Sequence, residues 1–268
     1  MIEYDTKQFG DTVMRDFGNR QLYGKSIVAS AGTALETRSK ALGHPDFEEL
    51  AIGESRTVSL AAVFLDLTDF TGRTFWDDPS EVVNLAHAVL TGFVEAVSAW
   101  GGYPLGLRGD GLFAGFGPGD ARVDSVLALA ASAFVLDAVE NQLNPRLRAA
   151  GVHPVKARAG LDYGPISFVR SGIPERSEIN PIGFAANFAA KCEKKAKSWE
   201  IVIGEGIAEQ LPDATSFNEH NDSPKEYDRD YERKYYRFYN YHWRRTLAFI
   251  PGAVQQINGN PTTSIAIN

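Results

Sequence analysis

From Thr57 to Leu67 the chain reads TVSLAAVFLDL, a continuous apolar and β-branched run that predicts a strand buried on both faces and closed by the polar pair Thr68 and Asp69. Asp78 precedes Pro79 and stands three residues before Glu81, a helix-start signal. Val82, Leu85, Ala86, Val89, Phe93 and Val97 then recur at helical spacing, and Gly101 and Gly102 supply a left-handed stop. GYPLGLRGDGLFAGFG predicts a β-hairpin turning at Gly109, Asp110 and Gly111. A second helix is predicted from Asp120 to Arg148, interrupted at Pro145. The strands VKARAGLDYG and PISFVRSG follow, with Gly164 and Pro165 as the turn between them. A third helix, Pro181 to Lys197, starts on proline and ends in a lysine-rich turn that suits its dipole. EIVIG reads as a strand and EGIAEQL as a short helix.

Strand, helix, hairpin, helix, hairpin, helix, strand is an α+β order that contains the ferredoxin-like βαββαβ plan, a sheet covered by helices on one face. Residues 1–55 form an N-terminal extension with short helices expected around Asp11 to Phe17 and Lys25 to Leu42. The core domain spans 56–212. In 213–268, Asp213 to Lys234 is polar enough to predict a mobile loop, and KYYRFYNYHW an aromatic strand added at the sheet edge.

Composition narrows the setting. Lys plus Arg total 27 and Asp plus Glu 34, so 27 − 34 = −7, and no excess of positive charge is available for nucleic acid. With 44% hydrophobic and 23% charged residues, the chain is that of a globule able to bury a sizeable core. Cys192 is the single cysteine, so no internal disulfide forms, and with five histidines a cysteine-rich zinc framework is excluded. A reducing cytoplasm fits. The opening MIEYDTKQFGD carries acids where an export signal has basic residues, so no signal is expected. The longest apolar stretch, Val126 to Leu136, is about half the ~20 residues of a bilayer span, so no membrane association is expected.

Candidate chemistry gathers at two acids. Asp66 ends the first strand run and Asp110 sits in the hairpin turn, 110 − 66 = 44 residues later with one helix between them. A strand–helix–strand geometry can bring those ends together. Two carboxylates so placed repel unless a cation stands between them, and hard oxygen ligands favour Mg²⁺ or Mn²⁺ over zinc. The plainer alternative has Asp66 capping a turn and Asp110 merely occupying a hairpin. The following LTDFTGR is rich in small and hydroxyl residues, and its backbone amides can cradle phosphates or simply connect strand to helix. Asn187 and Lys191, four apart, share one face of the third helix, where an amide beside an ammonium suits a ribose oxygen and a developing phosphoryl charge. Equally, Lys191 belongs to KCEKKAK, a solvated helix end, and Asn187 lies between Phe184 and Phe188, as a hydrogen-bonded core residue would.

Taken together, these segments resemble the class III nucleotide cyclases over about Ser59 to Leu211. FLDLTDFTG is similar to that family's first metal-binding segment and RGDGLFAGF to its second; RAGLDYGPI matches the strand pair between, and NPIGFAANFAAKCEKKA the helix bearing an asparagine and, four residues on, an arginine. The resemblance implies that Asp66, Leu67 and Asp110 form a site for two divalent cations, Mg²⁺ or Mn²⁺. It implies that the turn carrying Phe70 and Thr71 contacts the triphosphate through backbone groups, and that Asn187 orients the ribose. It further implies a homodimer with two composite sites, the aspartates of one copy facing the asparagine helix of the other, and closure of a 3′,5′-cyclic nucleotide with loss of pyrophosphate.

Departures from the family narrow the substrate. The family arginine is here Lys191, a point charge without a planar fork. Where purine cyclases carry lysine or glutamate the chain has Gly106, and where they carry aspartate or cysteine it has Asn180. Arg108 shares a strand face with Gly106 and can reach into the vacated space. The pattern resembles the pyrimidine cyclases of bacterial Pycsar antiphage defence, which activate a separate cyclic-nucleotide effector. Because Arg108 only donates and uracil offers O4 as an acceptor, UTP is expected ahead of CTP, although Asn180 suits either base by turning its amide. Adenylate or guanylate cyclase is the nearest alternative, and an inactive nucleotide-binding regulatory module the alternative of another class. A palm-type polymerase or diguanylate cyclase shares the two-metal logic, but a GGDEF-like signature is missing.

Overall fold

The computed structural model describes residues 4–26 and 42–249. Its centre is β1 (Ser55–Thr68), paired antiparallel along its whole length with β4 (Lys156–Ile173) and, from Ala61 to Asp66, with β3 (Gly111–Phe116). With β2 (Tyr103–Arg108), β6 (Ile201–Gly204), β7 (Phe217–Glu219) and β10 (Phe238–Tyr241), the strand order is β2-β3-β1-β4-β6-β10-β7. Strand β5 (Arg176–Ile182) also pairs with β4, and among the described residues only β4 with β6 runs parallel. A separate two-stranded arm is formed by β8 (Lys225–Arg229) and β9 (Glu232–Tyr236).

Alternation along β1 sends its residues to two cores. Ala61, Val63, Leu65 and Leu67 face the larger one, with helices α1 (Thr6–Ser26), α3 (Pro79–Ala99) and α4 (Ala121–Ala138). Leu60 and Ala62 face a smaller one with Phe113, Phe168 and the alanines of α6 (Phe184–Lys195). The expected strand buried on both faces is therefore present, but the sheet has helices on both sides, since α6 crosses the face opposite α3 and α4. Gly160 makes that crossing possible. A Cβ there would collide with the Glu193 amide nitrogen and the Ala189 carbonyl oxygen of α6.

Local signals hold where they were strongest. Asp78 accepts hydrogen bonds from the Ser80 and Glu81 amides at 2.9 and 3.2 Å, with Pro79 in the first turn of α3. Gly101 is left-handed at φ 79 and Gly109, in the β2–β3 turn, at φ 63. Helix α3 is long and apolar enough to cross a membrane, although no unbroken apolar run marks it, and half of that stretch is buried within this fold. The second helix passes from α4 through a π-helical turn, Val139–Leu143, into α5 (Asn144–Ala149); the wider turn accommodates Pro145, which a regular helix rejects. The first short N-terminal helix is part of the longer α1, while the second, apart from its start at Lys25 and Ser26 and its end at Leu42, lies outside the described residues.

Four expectations are corrected. Gly164 and Pro165 are not a turn but lie inside β4, opposite Leu60 and Ser59. There β4 changes its other neighbour, from β6 up to Leu161 to β5 from Ser167, so the missing proline N–H leaves no ladder bond unmade. Pro181 does not start a helix: it pairs with Phe168 in β5, and α6 begins after Gly183. The stretch 213–234 is not a loop, because charged residues occupy the outward face of the β8–β9 arm and pair across it, as Arg233 does with Asp228 at 2.8 Å. The aromatic strand, finally, is not an edge; β10 lies between β6 and β7.

Substituting Gly160→Ala forces α6 off the sheet, and we expect a loss of roughly 1–3 kcal/mol in urea unfolding, the range of overpacked cores. An unchanged unfolding midpoint would show that α6 does not lie against this strand.

Candidate active site

Asp66 lies opposite Arg158 of β4 on one side and Gly111 of β3 on the other. Side chains of directly paired residues share a face. Arg158 accordingly reaches Asp66, its Nη2 and Nε donating to the single oxygen Oδ2 at 2.7 and 3.0 Å. The other oxygen, Oδ1, is directed to the Gly111 side, where a Cβ would stand 3.0 Å from it; glycine keeps that approach open. The guanidinium also meets Oε1 of Glu193, on the sheet-facing side of α6, at 2.5 Å, and donates from Nη1 to the Ala196 carbonyl at 3.3 Å.

Electrostatics make this corner acidic. Burial, and then the negative charge of Asp66, raise the Asp110 carboxyl above its ordinary value. Burial, and again the charge of Asp66, lift Glu193 to about 7, with Arg158 opposing. When all are ionised, Asp66, Asp110 and Glu193 set three negative charges against the one positive charge of Arg158, 1 − 3 = −2. That deficit and the all-oxygen donor set fit a hard divalent cation. Among the described residues no group of three or more His, Cys, Asp and Glu side chains is arranged to hold a metal alone. The remaining positions would fall to backbone, water or phosphate oxygens, as is usual for Mg²⁺. Leu67 can contribute only backbone, its side chain being buried in the larger core.

After β1, Asp69 takes a left-handed conformation at φ 59 and makes no side-chain hydrogen bond to the first turn of α2 (Phe70–Trp76). Phe70 is buried, with the Arg73 guanidinium 5.7 Å from its ring centre; Thr71 follows it in that turn. This short helix therefore begins immediately beyond the Asp66 strand end.

Asn187 and Lys191 lie on the opposite side of α6. Ala185, Ala186, Ala189, Cys192 and Glu193 turn inward and are buried, while Asn187 and Lys191 are exposed. The Lys191 ammonium donates to the Tyr227 hydroxyl of the arm at 2.8 Å and stands 4.9 Å from that ring centre. The aspartates and the asparagine–lysine pair of one chain are thus separated by the thickness of α6. Gly106 and Arg108 stand on β2, and Asn180 on β5, with β3, β1 and β4 between those strands. The Arg108 guanidinium folds back beside Gly106, where a Cβ would lie 3.7 Å from Nη1, and donates to the Leu107 carbonyl at 3.3 Å.

Arg158 and Glu193 were missed by the sequence reading. Alternation in KARAGLDYG places Arg158 on one face with Gly160 and Asp162, but only the β1–β4 register shows that it opposes Asp66. Glu193 is hidden inside the lysine-rich helix end.

No family model matches the chain. It is 25% identical over 178 residues to an Escherichia coli protein named cytidylate cyclase, a match covering 63% of this chain and 38% of that one. A Staphylococcus aureus protein of the same name is 26% identical over 198 residues, covering 72% and 45%. The chain spans less than half the length of these relatives. Among solved structures, the adenylyl cyclase CyaB from P. aeruginosa superposes with a TM-score of 0.60 at 20% identity, covering 70% of this chain and 95% of that one. The resemblance read from the sequence thus has two supports: the chain is similar to pyrimidine cyclases, and its fold is that of the class III cyclase catalytic domain.

If Asp66 raises Asp110 by direct repulsion, Asp66→Asn lowers the Asp110 pKa in a carboxyl NMR titration without added metal. An Asp110 titration unmoved by the substitution would place the two carboxylates apart.

Proposed function

We propose that the chain is a divalent-metal-dependent nucleotide cyclase that converts a pyrimidine ribonucleoside triphosphate to its 3′,5′-cyclic monophosphate and pyrophosphate. The observation that carries this reading is the acidic corner at the end of β1, where Asp66 and Asp110 repel one another beside a buried Glu193.

In the reaction the ribose 3′ oxygen attacks the α-phosphorus in line, the bond from that phosphorus to the bridging oxygen breaks, and the hydroxyl proton passes to solvent. Two cations, Mg²⁺ or Mn²⁺, would when bound supply a lowered pKa at the attacking hydroxyl and charge stabilisation along the triphosphate. Asp66, Asp110 and the Leu67 backbone would hold those cations. Arg158 orients Asp66 by fixing its Oδ2, which leaves Oδ1 for ligation. The turn at Phe70 and Thr71 contacts the triphosphate, Asn187 orients the ribose, and Lys191 balances phosphoryl charge. Since Asn187 and Lys191 lie across α6 from the aspartates of their own chain, a complete site requires a second copy, and a homodimer carries two composite sites.

The base pocket includes Gly106, Arg108 and Asn180. The guanidinium beside Gly106 occupies space that a lysine or glutamate side chain would fill at that position, which supports a small base. A donor at Arg108 favours uracil O4, hence UTP; the names of the two relatives favour CTP as the second reading. The cyclic product serves as a second messenger for a separate effector in antiphage defence, in the cytoplasm.

Incubating the protein with each of the four ribonucleoside triphosphates and Mn²⁺ is expected to yield cyclic product from UTP or CTP. Turnover should fall by about 100-fold or more in Asp66→Asn, the scale on which loss of a charge-stabilising group acts. Conversion mainly of ATP or GTP would overturn the pyrimidine assignment. Triphosphate binding with no cyclic product would favour a regulatory binding module.

A further inference from the structure

The β8–β9 arm has no part in the sheet, yet its inner face is built around α6. Paired residues share a face, so the register Lys225 with Tyr236 and Tyr227 with Lys234 puts Lys225, Tyr227 and Tyr236 on one side. Tyr236 anchors that side. Its ring packs edge-on against Phe184 and Phe188 of α6, with centroids at 4.7 and 4.5 Å. Its hydroxyl lies 3.1 Å from both oxygens of Asp162 in β4 and accepts from the Gly206 amide at 2.8 Å. Asp162 is fully buried, and the Tyr163 amide donates to it as well. The arm is therefore pinned to the same sheet that carries α6.

Tyr227, two residues along the arm, is held by Phe184 edge-on at 5.8 Å. It presents its ring and its hydroxyl together to Lys191, the ring centre at 4.9 Å and Oη at 2.8 Å from Nζ. Lys191 also borders an open groove of about 570 Å³ between α6 and the arm, with Lys194, Lys195 and Lys225. A lysine side chain is a point charge on a flexible four-carbon stem, without the planar fork by which arginine pre-organises itself. An ammonium required at one place must be oriented by something else.

We propose that Tyr227 is the positioning residue for Lys191, its hydroxyl and ring together fixing the ammonium for the phosphoryl charge. This rests on the cyclase reading given above. The arm does for the lysine what the planarity of a guanidinium does for an arginine, and Tyr236 keeps the arm in place.

The experiment uses the full chain and the pyrimidine triphosphate that the wild type converts. Tyr227→Phe keeps the ring and removes one hydrogen bond, so kcat is expected to fall roughly three- to tenfold, with KM within about twofold. Tyr227→Ala removes the ring as well and should cost more. A Lys191→Arg background should suppress most of the Tyr227→Phe defect, because the guanidinium needs no such guide; a merely structural role for Tyr227 would cost the same in both backgrounds. Independently of turnover, ¹³C-dimethylation of lysines should show a Lys191 methyl signal shifted by the Tyr227 ring current in wild type and in Tyr227→Phe, and lost in Tyr227→Ala. Equal kcat in wild type and Tyr227→Phe, or an equal defect in both backgrounds, overturns the proposal and leaves the cyclase reading standing. A wild type that makes no cyclic product removes the cyclase reading and this role with it. A Lys191 signal unshifted in the wild type shows that the contact itself is absent.

Discussion

The Arg158 guanidinium stands between Asp66 and Glu193, and the arrangement of the candidate site depends on that contact. Without it, the strand end would hold three carboxylates at close quarters, and burial would force protons onto them. With it, Asp66 has one oxygen fixed and the other open toward Gly111, while Glu193 retains a partner inside the protein. The charge left over is negative. An acidic, part-buried, oxygen-only corner is poorly stable empty and well suited to a divalent cation.

The same contact ties helix to sheet. Glu193 can reach Arg158 only because α6 lies directly on Gly160, and that close approach in turn fixes which face of α6 looks outward. Asn187 and Lys191 are on the outward face, so the packing that builds the acidic corner also removes the asparagine and lysine from it. In the proposed reading, a single chain therefore carries the two parts of the site on opposite sides of one helix.

Much of the fold was legible in the sequence. Continuous burial marked β1, the Asp78 cap and apolar period marked α3, and Gly109 marked the hairpin; these signals are local and physically specific. Long-range pairing overrode weaker ones. Pro165 resembles a turn residue until β4 is seen to change neighbours beside it, and Pro181 resembles a helix start until β5 claims it. Charge in 213–234 concealed a hairpin, because the residues that matter there, Tyr227 and Tyr236, find their partners on α6 and β4, far away in the sequence. For the site, the two aspartates and the helix asparagine stood out by type and order. Arg158 and Glu193 did not, since their role exists only through strand register and helix packing.

The division of the site between copies is tested most directly by mixing two separately inactive variants, Asp66→Asn and Asn187→Ala. A mixed dimer then holds one intact site and one doubly defective site. Random pairing at equal concentrations is expected to restore roughly a quarter of wild-type cyclic nucleotide formation. Failure of the mixture to regain activity, with mixed dimers shown to form, would contradict a composite site and place all the required groups within one chain.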